Sequence, residues 1–135
     1  LIFALLFALN SFPTCSVNRT TDEGDQATVS AYVGSYTRDE GWVNGQGGGV
    51  SQIDVQVKTG RILKQRAIAA IANASFVVES ADERYLYVVS ELAHDDEPTG
   101  FLHVLDIENE YREISKIPTD GKAPCHIEID NTGNY

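Results

Sequence analysis

The stretch NASFVVESADERYLYVVSELAHDDEPTGFLHVLDIENEYREISKI, residues 73 to 117, decides the fold. It holds four short runs rich in β-branched and aromatic residues, and apolar positions alternate with polar ones within them, as in half-buried strands. Turn-forming residues separate the runs, for example in SADER at 80–84 and DDEPTG at 95–100. The stretch therefore predicts four consecutive short strands.

The same pattern extends in both directions, and no segment from residue 28 onward has apolar residues at the 3.6-residue period of a helix. An all-β fold is therefore predicted. The predicted strands are TVSAYVGSYT (28–37), GVSQIDVQV (49–57), ILKQRAIA (62–69), SFVVES (75–80), YLYVVSE (85–91), FLHVLDI (101–107), YREISKI (111–117) and HIEID (126–130). QGGG at 46–49 is predicted to be a flexible connection between the first two strands. Trp42 lies in the longer connection DEGWVNGQGGG, residues 39–49, and has no assigned role.

The chain also repeats itself at a period near 50 residues. IDV at 53–55 recurs as LDI at 105–107, and SADERY at 80–85 aligns with DNTGNY at 130–135. Four short strands at this period are typical of a β-propeller blade. Residues 75–117 form one complete blade with strands A to D, residues 28–69 supply strands B to D of the blade before it, and HIEID begins a third. We expect an N-terminal fragment, about the first two blades of a larger ring.

Composition excludes some partners. The 135 residues carry 20 acidic and 10 basic side chains, a net charge of −10, which argues against nucleic acid. Apolar residues make up 42%, more than a disordered chain would have. Neither cysteine belongs to a motif with metal-ligand spacing, so no metal site is predicted.

Residues 1–27 are predicted to be a signal-like segment and linker, and residues 28–135 the propeller part. The run LIFALLFAL at 1–9 is too short to span a membrane but fits the apolar region of a secretory signal. Cys15 follows it closely, as the acylated cysteine does in bacterial lipoproteins. We expect export, with Cys15 as a lipid anchor in one alternative and a cleaved signal in the other. A cytoplasmic location is the remaining alternative.

Several motifs in order resemble the seven-bladed β-propeller lactonase family: YVGSYT, GVSQIDVQVKTGRI, NASFVVESADERYLYVVSE and GKAPCHIEIDNTGNY. That family includes the propeller-type 6-phosphogluconolactonases and resembles the carboxy-muconate lactonising enzyme. The resemblance covers residues 28–135. It implies a lactonase that opens a sugar-acid lactone such as 6-phosphogluconolactone, in carbohydrate metabolism, with no cofactor. The isolated fragment is expected to be inactive.

Propellers bind ligands at one mouth of the central channel, where the B-to-C and D-to-A connections converge. His126 is the candidate base or acid, because imidazole titrates near neutral pH and the resemblance implies a channel-facing histidine in this segment. Glu91 is the candidate carboxylate that orients His126 or acts beside it. Asn73, Ser75 and Tyr36 are predicted to bind substrate. The alternative for each is a structural role in a turn or strand end.

Two other functions remain open. A propeller at the cell envelope can bind carbohydrate or protein without catalysis, because a fold does not fix a function. A muconate-type cycloisomerase is the second. Between Ala67 and Tyr111 the only basic residue is Arg84, against ten acidic ones. This leaves two alternatives for a lactone substrate: cationic residues elsewhere bind its phosphate, or it carries none. The sequence does not indicate an oligomeric state.

Overall fold

The alternating pattern of the sequence folds into seven strands. The structure is a computed structural model that describes residues 27–94, 98–130 and 132. The strands are β1 (Thr28–Gly34), β2 (Val50–Gln56), β3 (Ile62–Ala69), β4 (Ala74–Glu79), β5 (Tyr85–Ser90), β6 (Phe101–Asp106) and β7 (Arg112–Pro118). This part of the chain has no helix, and so none long and apolar enough to cross a membrane. The predicted signal segment and Cys15 lie outside the described residues, and export stays a prediction.

The strands form two antiparallel sheets in chain order. The first sheet contains β1, β2 and β3, and the second contains β4, β5, β6 and β7. Within each sheet, every strand pairs with the next along the chain, which is the arrangement that short turn-linked strands favour. The predicted blade of four strands and the three strands before it are confirmed in their order, with strand ends shifted by one to three residues.

Burial is lowest in the last strand of each sheet, β3 and β7. In the second sheet, β5 has four buried residues among its six, whereas β7 has none. The polar and charged side chains of β3 and β7, such as Lys64, Arg66, Arg112 and Lys116, lie on these outer strands. The buried edge of the second sheet is therefore β4 and β5, as expected for the inner strands of a blade.

The core lies between the two sheets, and β1 contacts β4 there. A buried cluster joins them: Val50, Ile71, Ala74, Leu86, Val88, Leu105 and Tyr111. Gly34 makes the close approach of β1 and β4 feasible, because a Cβ atom at this position would lie 2.1 Å from the Ala74 carbonyl oxygen. Tyr111 also crosses the junction, since its ring packs edge-on against Tyr32 at 6.0 Å.

Two strand predictions differ from the structure by more than one residue at an end. The first strand was expected to reach residue 37 but ends at Gly34. Ser35 then bonds the backbone of Gly49 through its side chain, accepting from the amide at 3.2 Å and donating to the carbonyl at 2.8 Å, in place of a ladder bond. The predicted strand HIEID is wrong as a strand. Residues 126–130 belong to no sheet, because no described segment pairs with them.

Candidate functional site

Four connections meet at one end of the two sheets, and we call this end the loop end. They are residues 35–49 between β1 and β2, 70–73 between β3 and β4, 91–100 between β5 and β6, and 119–125 after β7. Backbone bonds link them. The Glu91 amide donates to the Asn73 carbonyl at 2.9 Å, and the Ala123 amide donates to the Leu92 carbonyl at 2.8 Å. The candidate positions at B-to-C and D-to-A connections therefore share one end of the fold.

A tyrosine and a buried carboxylate join the two sheets at the loop end. The Tyr36 hydroxyl donates to Oε2 of Glu91 at 2.7 Å, and Glu91 is only 8% exposed. Burial raises the pKa of Tyr36 above its ordinary value, the hydrogen bond to Glu91 raises it further, and the negative charges of Glu91 and Glu40 add to the effect. Tyr36 is therefore a protonated donor at neutral pH, and Glu91 accepts from it.

Asn73 is fully buried behind this pair, in the left-handed backbone region at φ 45°. Its Oδ1 accepts from the Thr37 amide at 3.0 Å. Its Nδ2 donates to Oε1 of Glu40 at 2.6 Å and to the Glu91 carbonyl at 3.2 Å. The predicted role of Asn73 in substrate binding stays a prediction, but its side-chain amide already bonds three protein groups.

Glu40 is a central residue of the loop end that sequence reasoning missed. Its side chain is inaccessible to solvent, and its carboxylate accepts from Arg38 Nε and Asn73 Nδ2, each at 2.6 Å, and from the Ala93 amide at 3.4 Å. Burial alone would raise the pKa of Glu40. The bonds from these three donors, with the positive charge of Arg38, hold the pKa below its ordinary value instead. Nothing in the stretch DEGWVNGQGGG distinguishes this carboxylate from a solvated one.

The connection that contains Glu40 is a hydrogen-bonded hairpin, which we call the 35–49 hairpin, and it includes the QGGG segment at 46–49. Three backbone bonds cross it: Glu40 amide to Val43 carbonyl at 2.9 Å, Gly45 to Arg38 at 2.9 Å, and Gly47 to Tyr36 at 2.8 Å. Gly41 has φ 84° at the tip, a conformation that glycine adopts without strain. Trp42 lies beside it, and its ring packs edge-on against Tyr36 at a centroid distance of 5.4 Å.

Ser75 and His126 lie near the start of β4. Ser75 is the extra residue of a bulge between Ala74 and Phe76, and its buried hydroxyl has no hydrogen-bond partner among the described residues. His126 is exposed, and its ring centroid lies 4.6 Å from that of Phe76. In the described residues the carboxylate of Glu91 bonds Tyr36 and not His126. The catalytic role of His126, and of Glu91 beside it, stays a prediction.

The carboxylates of the loop end are occupied by protein donors. Glu40 accepts from three of them, and Glu91 accepts from Tyr36. Across residues 27–94, 98–130 and 132, no three His, Cys, Asp or Glu side chains are grouped to hold a metal ion. The chemistry that this end offers consists of hydrogen-bond acceptors, a protonated phenol, an imidazole and an exposed indole.

Comparisons with known proteins agree with this architecture. Residues 30–135 match the model of the family described as lactonase, 7-bladed beta-propeller. No curated protein matches the chain. A crystal structure from Bacteroides uniformis, of a protein provisionally named a 6-phosphogluconolactonase, is similar, with a TM-score of 0.57 and 28% identity. The match covers 74% of this chain and 27% of that one, so the chain spans about a quarter of its length. The chain belongs to the seven-bladed β-propeller lactonase family.

Proposed function

We propose that the intact protein hydrolyses the lactone of a sugar acid, as its family membership and the provisional name of its structural neighbour suggest. The observation that carries the proposal is the Tyr36–Glu91 pair. It places a buried carboxylate and a phenol oxygen at the end of the fold where four connections meet. The Tyr36 hydroxyl donates its hydrogen to Glu91, so the Tyr36 oxygen and the Glu91 carboxylate oxygens can act toward a ligand only as hydrogen-bond acceptors. A polyhydroxylated ring supplies donors for such acceptors.

His126 is proposed as the general base. It removes a proton from a water molecule that attacks the lactone carbonyl, and the proton then goes to the ring oxygen as the ring C–O bond breaks. One water is consumed and one hydroxy acid is formed, so no cofactor is needed. The exposed position of His126 beside the inner strand β4 leaves its ring accessible to such a water. Tyr36 stays protonated and orients substrate without acting as a base.

The charge of the described loop end favours a lactone without phosphate. Arg38 is the cation of the 35–49 hairpin, and its Nε is bonded to the buried Glu40 carboxylate. Glu91 adds a second negative charge next to Tyr36. A phosphate group placed beside Tyr36 would face these carboxylates, although recognition of phosphate ordinarily uses an arginine fork or a lysine. The other cation of the described loop end, Lys122, lies in the 119–125 connection. We therefore expect unphosphorylated δ-gluconolactone to be the better of the two obvious substrates.

The test is a lactonase assay of the intact protein on δ-gluconolactone and on its 6-phosphate, with the spontaneous rate subtracted. We expect His126→Ala to lower kcat by about 100-fold or more, the usual contribution of a positioned general base. Lys64→Ala, which removes an exposed side chain in the middle of β3, away from the loop end, is the control and should leave the rate unchanged. A wild-type protein that opens neither lactone refutes the hydrolase. A His126→Ala variant with the wild-type rate removes His126 from the mechanism.

A further inference from the structure

Trp42 is the one exposed Phe, Tyr or Trp side chain among the described residues. It is 58% exposed at the tip of the 35–49 hairpin. Exposed apolar side chains cost little when they are scattered, but a large ring at a convergent end of a fold is often a binding feature. The mechanism proposed above does not use it. We propose that Trp42 is a stacking platform for the ring of the sugar lactone, an inference that rests on the proposed function.

Trp42 and Glu91 both contact Tyr36. Trp42 packs against the ring of Tyr36 at 5.4 Å, while Glu91 bonds the hydroxyl of the same tyrosine at 2.7 Å. The indole and the carboxylate therefore contact the same tyrosine side chain, the indole at its ring and the carboxylate at its hydroxyl. We place the sugar ring beside this tyrosine, with its apolar C–H face on the indole and its hydroxyl groups on the acceptors of Tyr36 and Glu91.

The 35–49 hairpin that carries Trp42 is held in place by hydrogen bonds within it and to the second sheet. Three backbone hydrogen bonds cross the hairpin. Glu40, which directly precedes the tip, is held by the bonds that its carboxylate accepts from Arg38, Asn73 and the Ala93 amide. Asn73 and Ala93 belong to the connections of the second sheet. A side chain presented on an already ordered hairpin loses little conformational entropy when a ligand binds. The structure thus holds the indole at the loop end before any ligand arrives.

The surface of the Trp42 indole is chemically suited to the face of a sugar ring. Tryptophan offers a large, flat apolar surface with two side-chain torsions to fix, and Tyr36 already restrains one side of it. The face of a pyranose ring is apolar, whereas its edge carries hydroxyl groups. An indole next to a pair of oxygen acceptors is complementary to both properties of the ring. It offers nothing specific to a phosphate, in agreement with an unphosphorylated lactone.

The experiment measures both catalysis and binding in the intact protein. Wild type, Trp42→Ala and Trp42→Phe are compared, with Val57→Ala as the matched control. Val57 is 60% exposed but follows β2 at the opposite end of the sheet. The readouts are kcat and KM for δ-gluconolactone and, by calorimetry, Kd for the product gluconate. Covering roughly 60 Å² of indole corresponds to about a tenfold change in affinity.

We expect Trp42→Ala to raise KM and Kd about tenfold with kcat within about twofold, because stacking contributes equally to the ground and transition states. Trp42→Phe should recover most of the loss, and Val57→Ala should change neither constant. Unchanged KM and Kd in Trp42→Ala overturn the proposal. So does a loss of thermal stability without a change in affinity, the behaviour of a residue that packs under a neighbouring loop.

The two proposals fail separately. A wild-type protein that binds gluconate but opens no lactone refutes the hydrolase, and a loss of gluconate affinity in Trp42→Ala then still supports the platform. A wild-type protein that opens the lactone with a KM indifferent to Trp42 refutes the platform alone. Binding of neither gluconate nor lactone by the wild type overturns both.

Discussion

Replacing Asn73 by alanine should destabilise the intact protein by about 4 kcal/mol, since three separate costs arise at once. The Thr37 amide loses its acceptor, about 1 to 3 kcal/mol for a donor left unsatisfied in a buried site. The solvent-inaccessible Glu40 carboxylate loses one of its donors, a charge-assisted bond that contributes roughly 1.5 to 3 kcal/mol. Alanine at φ 45° also costs about 1 kcal/mol more than asparagine or glycine. Local relaxation should recover part of this sum.

The measurement is equilibrium urea unfolding of the intact protein, followed by far-ultraviolet circular dichroism. Asn73→Gly is the control that separates backbone from side chain, and it should be about 1 kcal/mol more stable than Asn73→Ala because glycine accepts a positive φ. Asn73→Asp should be strongly destabilised at neutral pH and recover toward acid, where its carboxyl is protonated and no longer repels Glu40. A loss below about 1 kcal/mol in Asn73→Ala, or equal losses in the alanine and glycine variants, would refute this account of the site.

Two further outcomes test the junction of the sheets and the buried pair. Gly34→Ala should lower the free energy of unfolding by about 3 kcal/mol, because its Cβ would lie 2.1 Å from the Ala74 carbonyl oxygen. A Cβ atom at Gly48 would meet nothing within 4 Å, so the free energy of unfolding of the Gly48→Ala control should lie within about 0.5 kcal/mol of the wild-type value. The raised pKa of Tyr36 predicts a loss of stability as pH rises above the ordinary tyrosine pKa of about 10, because the unfolded chain then releases a proton that the folded one retains. Tyr36→Phe should lack that part of the loss, so a constant difference in unfolding free energy between the two proteins from pH 8 to 11 would contradict the assignment.

The strands could be predicted from sequence because their signal is local. β3 coincides with its predicted bounds, and the other six differ from theirs by one to three residues at an end. Alternating apolar residues and turn residues are both properties of neighbouring positions, and the sheets pair each strand with the next one along the chain. The prediction failed at residues 126–130, where the residue types suit a strand but pairing depends on a neighbour that no described segment supplies.

The site could be predicted only in part, for a related reason. Tyr36, Asn73 and Glu91 occupy connections that a blade brings to one end, and the structure joins them by direct hydrogen bonds. Glu40 lay outside this reasoning, because its burial depends on bonds to Asn73 and the Ala93 amide, 33 and 53 positions away. The hydrogen-bonded structure of the 35–49 hairpin could not be predicted either, because part of it depends on these same distant contacts. The glycine-rich composition of QGGG at 46–49 favours a flexible connection, whereas the backbone hydrogen bonds and the contacts of the Glu40 carboxylate give these residues the structure of a hairpin.

The anchoring of this hairpin also bears on how binding preference can change. The contacts that fix it involve Tyr36, Arg38 and Glu40, and at the tip, residues 41–43, Val43 contributes its backbone carbonyl. New side chains can therefore be introduced at the tip without altering the buried bonds that hold the two sheets together. A library confined to residues 42 and 43 would vary recognition on a constant frame. Selection for new ligands, in the laboratory or in nature, would find its least costly substitutions there.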